Sequence, residues 1–184
     1  MRALLDANVL FPTVLREILA ETAAGGVFTP LWSQRILDEW VHAAQRLGPL
    51  QSDRAGAEAA LLRIRFPAAM VAAEDEAGLG VQLPDAGDLH VVRAALDGGA
   101  EVIVTMNLRD FPRRALAPLG LRAIHPDEFL MKAFSAHSAI IAQAVAHTVE
   151  RALAAGGDET ARSLLRRVRL PRLAKALAAM EGRG

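Results

Sequence analysis

The sequence predicts an α/β fold with a central parallel sheet and a helical C-terminal extension, on three observations. Short apolar runs alternate with segments of helical periodicity over the first ~130 residues, the pattern of strands joined by crossover helices. The chain of 184 residues, 52% of them hydrophobic, is long enough to bury a core. From residue 135 onward the periodicity is helical throughout. We therefore expect one domain over residues 1–134 and an extension over residues 135–184.

The predicted strands are short and apolar. Residues 2–6, RALLD, form a run that ends in an acid. Residues 101–106, EVIVTM, are the clearest strand because they are β-branched and follow Gly98-Gly99. Continuous apolar runs of this kind are typical of strands that are buried on both faces of a parallel sheet. Three shorter segments are further strand candidates: residues 26–33, 67–74 and 121–126.

The predicted helices lie between these strands. Residues 12–24 place apolar side chains at helical spacing and end at Gly25-Gly26. Ser33 is a suitable N-cap for the helix that follows, in which Glu39 lies at the border of the buried face. The remaining predicted helices cover residues 51–65, 88–97 and 126–134, and the extension contains two or three more, separated by Gly156-Gly157 and Pro171.

Composition excludes several classes of protein. The absence of cysteine rules out disulfides and thiolate-bound zinc, and nothing indicates an oxidising compartment. The N-terminal apolar run is very short and contains an acid, unlike a signal peptide. The longest stretch without charged residues, from Ala133 to Val149, is interrupted by Ser, His and Gln, which argues against a membrane span. We expect a soluble cytoplasmic protein with no membrane partner.

Charge is balanced overall but segregated along the chain. The formal net charge of +0 gives no global signature of nucleic-acid binding. Residues 74–89 contain five acids and no Lys or Arg, whereas residues 160–175 contain six basic residues and no acid. The basic segment is compatible with RNA guidance, with contact to an acidic protein, or with a solvated helix face. The acids are Glu74, Asp75, Glu76, Asp85 and Asp88, and the basic residues are Arg162, Arg166, Arg167, Arg169, Arg172 and Lys175.

Polar residues follow the carboxyl ends of two predicted strands, where ligand sites form in open parallel sheets. Asp6 ends the first strand, and Asn107 and Asp110 follow the strand over residues 101–106. Asp88 begins a helix in the loop that also carries Asp85, and its oxygens are expected to accept hydrogen bonds from the first turn. Taken singly, each acid has an ordinary structural explanation as a cap, a turn residue or a boundary carboxylate.

Together, such carboxylates would repel one another strongly in a cleft unless a cation neutralised them. Oxygen ligands without cysteine favour Mg²⁺ or Mn²⁺ over zinc. A cation of this kind typically meets a phosphate, activates water and shields the charge that develops on a phosphodiester. His90, two residues beyond Asp88 on the same helix, faces away from it, so we expect a packing or hydrogen-bonding role.

Four segments, in order, resemble the motifs of PIN-domain proteins, and most closely the bacterial group related to VapC-type toxins. They are LLDANVLFP, WSQRILDEW, LPDAGDLHVVRAAL and VIVTMNLRDFP, and they cover roughly residues 1–130. The resemblance implies a three-layer α/β/α fold around the parallel sheet. It also implies a metal-dependent endoribonuclease, the toxin of a toxin–antitoxin pair, with RNA as its substrate.

The resemblance places the acids of the family on Asp6, Glu39 and Asp88, and its fourth polar position on Asn107 or Asp110. Mg²⁺ or Mn²⁺ would be held by Asp6, Asp88 and one or both of the residues at the fourth position. Glu39 would orient or deprotonate the attacking water. Members of the family often have an acid where this chain has Asn107, so the amide weakens that ligand and gives Asp110 more weight.

Five further residues have supporting roles on the same resemblance. Asn8 matches the polar residue that follows the first acid, and Asp85 matches an acid often found before the third. Ser33 and Thr105 are candidate hydroxyls beside the carboxylates. Arg16 is placed to reach a substrate phosphate or to bridge two acids, with a surface charge as the alternative.

The resemblance also implies partners, and two rival functions remain open. An antitoxin protein with a DNA-binding domain and a homodimer are expected from the family. A PIN fold that serves only as a binding module is the first rival, since Asn107 replaces an acid. A haloacid-dehalogenase-like phosphatase or a receiver domain is the second, but both need a lysine at the sheet edge, and this chain has only Lys132 and Lys175 on predicted helices beyond the last strand.

Overall fold

The computed structural model describes residues 1–72 and 79–182. The chain divides into two compact units. Unit 1 consists of Met1–Phe11 and Phe28–His125, and unit 2 consists of Pro12–Val27 and Pro126–Gly184. All strands of the described residues belong to unit 1, and the described secondary structure of unit 2 is helical.

Unit 1 contains a five-stranded sheet in which all pairs are parallel, in the order β3-β2-β1-β4-β5. The strands are β1 (Arg2–Leu5), β2 (Thr29–Ser33), β3 (Met70–Val71), β4 (Val102–Val104) and β5 (Ala123–Ile124). The central strand is β1, in which Leu4 lies between Leu31 and Ile103, and all three side chains are fully buried. The predicted α/β fold with a central parallel sheet and C-terminal helices is therefore confirmed.

The helices flank the sheet or form unit 2. In chain order they are α1 (Ala7–Leu10), α2 (Thr13–Ala24), α3 (Gln34–Gln45), α4 (Pro49–Arg65), α5 (Leu89–Asp97), α6 (Arg113–Leu116), α7 (Pro126–Ala154), α8 (Ala161–Arg167) and α9 (Pro171–Glu181), with 3-10 turns at Ala86–Asp88 and Ala117–Leu119. The sequence did not predict α1 and α6, because four residues are too few to show a helical period. The helices predicted over residues 126–134 and from residue 135 form one element, α7, that is kinked at His137 (φ −132°, ψ 32°).

Two segments singled out in the sequence, a strand candidate and an acidic stretch, extend into residues that the structure does not describe. The strand candidate at residues 67–74 is confirmed at Met70–Val71, while residues 73 and 74 lie outside the described part of the chain. Glu74, Asp75 and Glu76 of the acidic segment lie outside it as well.

Glu39 lies on helix α3, whose start and buried side determine its position. The Ser33 Oγ accepts a hydrogen bond from the Ile36 amide at 3.3 Å, which confirms the predicted N-cap. Ile36, Leu37 and Trp40 are buried on one side of the helix. Glu39 precedes Trp40 at the edge of that buried side and keeps 41% of its side chain exposed, so its carboxylate can reach a solvent-filled site.

Unit 2 is built around α7, which packs on α2, α8 and α9. It is the one helix among the described residues that is long and apolar enough to cross a membrane, with a mean hydropathy of 1.3 over its most apolar window. Ile141, Ala144 and Val145 are buried within the fold. The helix is also kinked, and we interpret it as the core helix of its unit.

Asp127 provides a test of the packing within unit 2. Its two carboxylate oxygens accept hydrogen bonds from the backbone amides of Arg172 (3.1 Å) and Leu173 (3.0 Å), at the first turn of α9. We expect Asp127→Ala to lower the free energy of unfolding by about 1–3 kcal/mol and the melting temperature by about 2–10 °C, because two amides lose their acceptor. Thermal denaturation checks this, with Glu128→Ala, at a half-exposed neighbouring position, as the matched control that should change little. Equal melting temperatures for the two variants would contradict the capping role.

Candidate functional site

Asp6 lies at the carboxyl end of the central strand. Its amide donates to the Val104 carbonyl at 3.1 Å, so the residue is held by the neighbouring strand β4. Only 7% of the residue is exposed. Its Oδ2 accepts hydrogen bonds from the Asn8 Nδ2 (2.5 Å) and from the Thr105 hydroxyl (2.7 Å). Two polar side chains therefore fix the orientation of this buried carboxylate.

Asn8 and Thr105 also fix the loop that follows β4. The Asn8 Oδ1 accepts from the Met106 amide at 2.9 Å, and the Thr105 Oγ1 accepts from the Asn107 amide at 3.1 Å. The side-chain amide of Asn107 in turn donates to the Asp110 Oδ2. A continuous series of hydrogen bonds thus connects Asp6, at the end of β1, with the polar residues that follow β4.

The two aspartates of the loop before α5 have different roles. Asp85 accepts a hydrogen bond from the Gly87 amide at 2.8 Å and caps the 3-10 turn. Asp88 makes no capping hydrogen bond, and its backbone is helical (φ −86°, ψ 0°). The expectation that Asp88 accepts from the first turn of the helix was therefore wrong. Because an N-cap residue normally has extended backbone, the helical Asp88 leaves its carboxylate available for another partner.

The aspartates interact electrostatically. Burial, followed by the charges of Asp110, Asp6 and Asp85, raises the pKa of Asp88 to about 6. Burial also raises the pKa of Asp6, with a smaller contribution from Glu39, against the lowering effect of the hydrogen bonds from Thr105 and the Ala7 amide. Across residues 1–72 and 79–182, no Lys or Arg forms an ion pair with Asp6, Asp88 or Asp110. Among these described residues, His90 lowers the pKa of both Asp6 and Asp88, but this is the smallest of the effects on either group, so the negative charge of the cluster is only weakly opposed.

Glu39 reaches the same region from α3 and is held by two side chains. Its Oε1 accepts a hydrogen bond from the His90 Nε2 at 2.8 Å and lies 3.6 Å from the Arg35 Nε. Arg35 also donates to the Gly87 carbonyl at 3.3 Å, in the loop between Asp85 and Asp88. Helix α3 is thus tied to the loop that carries the aspartates.

His90 is buried, and the sequence did not reveal which residue it contacts. It is 3% exposed, and its Nδ1 has no hydrogen-bond partner among the described residues. The predicted hydrogen-bonding role agrees with the structure, but the partner, Glu39, belongs to a helix about 50 residues earlier in the chain. Spacing along α5 carries no signal for such a contact, since helical spacing reports only neighbours on the same helix.

Two of the sequence-derived candidates make hydrogen bonds to residues outside the carboxylate cluster. The Ser33 hydroxyl is engaged in the cap of α3. Arg16 belongs to α2 in unit 2, where it is buried and donates to the Thr13 hydroxyl at 3.3 Å. Burial lowers the pKa of Arg16 to about 10, so the guanidinium still carries its charge at neutral pH.

The donor atoms of this cluster are of the chemical type that binds hard divalent cations. They are carboxylate oxygens of Asp6, Asp88 and Asp110 and an amide oxygen of Asn107, the ligand types that suit Mg²⁺ and Mn²⁺. In the described part of the chain no three His, Asp or Glu side chains converge closely enough to enclose an ion. The carboxylates nevertheless lie within electrostatic reach of one another, and their mutual repulsion contributes to the raised pKa of Asp88.

Comparisons with known proteins identify the family of the chain. A protein of Mycobacterium tuberculosis named Putative ribonuclease VapC50 is 54% identical over 44 residues, which cover 24% of this chain and 26% of that protein. The chain therefore aligns with about a quarter of the length of this curated relative. No solved structure matches. The family model described as PIN domain matches residues 2–109, more than half of the chain and the part that contains Asp6, Glu39, Asp88 and Asn107, and the chain therefore belongs to the PIN-domain family.

Proposed function

We propose that this protein is a Mg²⁺- or Mn²⁺-dependent endoribonuclease that hydrolyses phosphodiester bonds. The observation that supports the proposal most strongly is the position of Asp88 beside Asp6, Asp85 and Asp110, without a Lys or Arg partner among the described residues and with a pKa raised to about 6. A site that gathers like charges at a sheet edge is costly unless it binds a cation.

In this proposal Asp6 and Asp88 hold the cation, together with Asp110, Asn107 or both. Asn8 and Thr105 keep the Asp6 carboxylate in one orientation through their hydrogen bonds to Oδ2. Asp85 caps the 3-10 turn that positions Asp88 and adds negative potential. When bound, a divalent cation would withdraw charge from the scissile phosphate and make a neighbouring water more acidic.

Glu39 acts as the general base. The hydrogen bonds and ion pair made to it by the described residues all use Oε1, which leaves Oε2 for the attacking water. As the water oxygen forms a bond to phosphorus, Glu39 accepts a proton from it, and the bond from phosphorus to the leaving ribose oxygen breaks. The leaving oxygen then takes a proton from solvent. Arg35 and His90 position the carboxylate and have no contact with the reacting atoms in this proposal.

The family and the relative support an RNA substrate, and they suggest the partners. PIN domains are typically nucleases, and the M. tuberculosis protein is named as a ribonuclease. We therefore propose that the protein works in the cytoplasm as a toxin, as a homodimer, and that an antitoxin with a DNA-binding domain inhibits it. A short reading frame for a DNA-binding protein next to this one would support the pairing.

Asn107 is the one feature that favours a different function, a PIN fold that binds RNA without cutting it. An amide carries no charge and is a weaker ligand than a carboxylate for a hard cation. In this chain, however, Asn107 contacts Asp110, which supplies a carboxylate three residues later. A cation can therefore still find a third acid, so we favour the enzyme.

The proposal is tested by RNA cleavage under controlled metal conditions. We expect fragments of a structured RNA in Mg²⁺ or Mn²⁺ and none in EDTA. Because water is the nucleophile, the fragments should carry no 2′,3′-cyclic phosphate, which distinguishes this activity from a contaminating nuclease that uses the ribose 2′-OH. Cleavage that persists in EDTA, or protein that binds RNA and never cuts it in Mn²⁺, would contradict the proposal.

A further inference from the structure

Helix α8 ends in a turn that places an arginine in the left-handed region. Arg169 has φ 61° and is the single non-glycine residue with a positive φ among the described residues. Its amide donates to the Arg166 carbonyl at 3.0 Å, and the Leu170 amide donates to the Leu165 carbonyl at 2.8 Å. This pair of hydrogen bonds defines the Schellman motif, in which the left-handed position is usually occupied by glycine.

The same chain uses glycine at this position in four other places. Gly26, Gly99, Gly120 and Gly156 all have positive φ, and each stands in a turn with the same two hydrogen bonds. A left-handed backbone brings the Cβ of an L-residue too close to the following carbonyl, whereas glycine has no Cβ to clash. At this position arginine therefore makes the turn less stable than glycine would.

The side chain of Arg169 offers no compensating contact among the described residues. It is exposed, and no carboxylate in that part of the chain lies within ion-pair distance of it. Backbone strain retained without a stabilising contact is found preferentially at functional positions. We infer that Arg169 occupies this position for its guanidinium group, which the described residues leave free to bind a ligand.

Further exposed basic side chains flank Arg169 on both helices. Arg162 and Arg166 lie one turn apart on α8, and Arg172 and Lys175 lie one turn apart on α9. Arg167 pairs with Glu159 at 2.8 Å, whereas the other four have no ion-pair partner among the described residues. The apolar side chains between residues 162 and 175 are buried, with the exception of Pro171: Leu164, Leu165, Val168, Leu170, Leu173 and Ala174.

We propose that this basic surface, formed by Arg162, Arg166, Arg169, Arg172 and Lys175, binds the phosphate backbone of RNA. The proposal rests on the proposed function in one respect, that RNA is the substrate. Exposed guanidinium groups without carboxylate partners suit phosphate oxygens, which they can contact through two parallel hydrogen bonds. An acidic protein partner is the weaker alternative, because the core of a protein interface needs exposed apolar and aromatic side chains, and the apolar side chains between residues 162 and 175, Pro171 apart, are buried.

Arg169→Gly separates the binding role from a structural one. We expect the melting temperature to rise by about 2–4 °C, because glycine relieves the left-handed strain. We also expect weaker binding of a fluorescein-labelled oligouridylate in fluorescence anisotropy, with a salt slope smaller by about 0.7 for the one lost phosphate contact. The assay contains EDTA, so it measures binding and is independent of whether the protein cleaves RNA.

A triple variant and a matched control complete the test. Arg166→Gln, Arg172→Gln and Lys175→Gln together should reduce the affinity by 10-fold or more at low salt and lower the salt slope by about 2. Arg2→Gln, Arg54→Gln and Arg122→Gln remove the same charge from exposed positions in unit 1 and should leave the slope near that of the native protein. Equal losses in the two triple variants, or native RNA binding by Arg169→Gly, would overturn the proposal. Native RNA binding with weakened capture of a protein partner would overturn it in favour of a protein-binding surface.

Discussion

Replacing Asp88 with asparagine is expected to lower metal-dependent RNA cleavage by at least about 100-fold, more than the loss typical of residues that only support a metal ligand. The same change should raise the melting temperature of the metal-free protein at neutral pH. The two effects have opposite signs because one carboxylate supplies a ligand and also repels Asp110, Asp6 and Asp85. Cleavage assays and thermal denaturation in EDTA measure them separately.

The stability effect should depend on pH in a defined direction. The pKa of Asp88 is raised from 3.8 to about 6, so the folded protein binds this proton more tightly than the unfolded chain does. Stability from this group is then present below the unfolded pKa and is lost as the pH rises towards 6. Because asparagine does not titrate, the gain in Asp88→Asn should be small in acid and full at neutral pH.

Asp97→Asn, at the other end of α5, is the matched control. Asp97 is the last residue of α5, whereas Asp88 precedes the first. The Asp97 carboxylate pairs with Arg93 at 3.0 Å. This variant should cleave RNA normally and should not gain stability. If Asp88→Asn cleaved like the native protein, or failed to gain stability, as Asp97→Asn is expected to do, Asp88 would be an ordinary polar residue at the start of its helix.

His90→Leu is expected to lower RNA cleavage by about 10–100-fold, the range for residues that orient a functional group from outside the reacting centre. Leucine fills the buried space but removes the donor at Nε2, so Glu39 loses its shortest hydrogen bond. His90→Gln should recover much of the activity, because the glutamine amide can place a donor near the position of Nε2. The unpartnered Nδ1 makes this exchange possible, since no described contact of that nitrogen is lost.

A double-mutant cycle with Glu39→Gln decides whether His90 acts through Glu39. Glu39→Gln alone should lower cleavage by about 10²–10⁴-fold, the usual contribution of a general base. In that background His90→Leu should cost little more, because the carboxylate that it orients is absent. Mn²⁺ affinity and melting temperature should be near native in both single variants. Losses that simply multiply in the double variant would show that His90 supports the fold and not the carboxylate.

Much of the fold follows from local pattern. The strands β1 and β4 were predictable because strands that are buried on both faces of a parallel sheet appear as short, continuous apolar runs, as residues 3–5 and 102–104 do. Helices α3 and α5 were predictable from one apolar face and from a capping residue such as Ser33. Helix α1 was not, because four residues between Asp6 and Phe11 cannot show a period. Periodicity also cannot tell which helices pack together, and α2 belongs to the same compact unit as the C-terminal helices.

The site was predictable to the extent that sheet geometry determines it. Parallel strands end at one edge, so Asp6 and the polar residues after β4 had to be neighbours, and the network through Asn8 and Thr105 follows from that. The pairing of His90 with Glu39 could not be predicted, because it depends on how α3 and α5 approach one another. The different roles of Asp85 and Asp88 depend on backbone angles that the loop sequence does not reveal.

Direct titration with Mn²⁺, followed by electron paramagnetic resonance of the free ion, tests the central claim that the cluster around Asp88 binds a divalent cation. We expect the native protein to remove Mn²⁺ from solution in a saturable manner, with Asp88→Asn binding far more weakly and Asp97→Asn binding like the native protein. Equal Mn²⁺ binding by the native protein and Asp88→Asn, or no binding by either, would contradict the account.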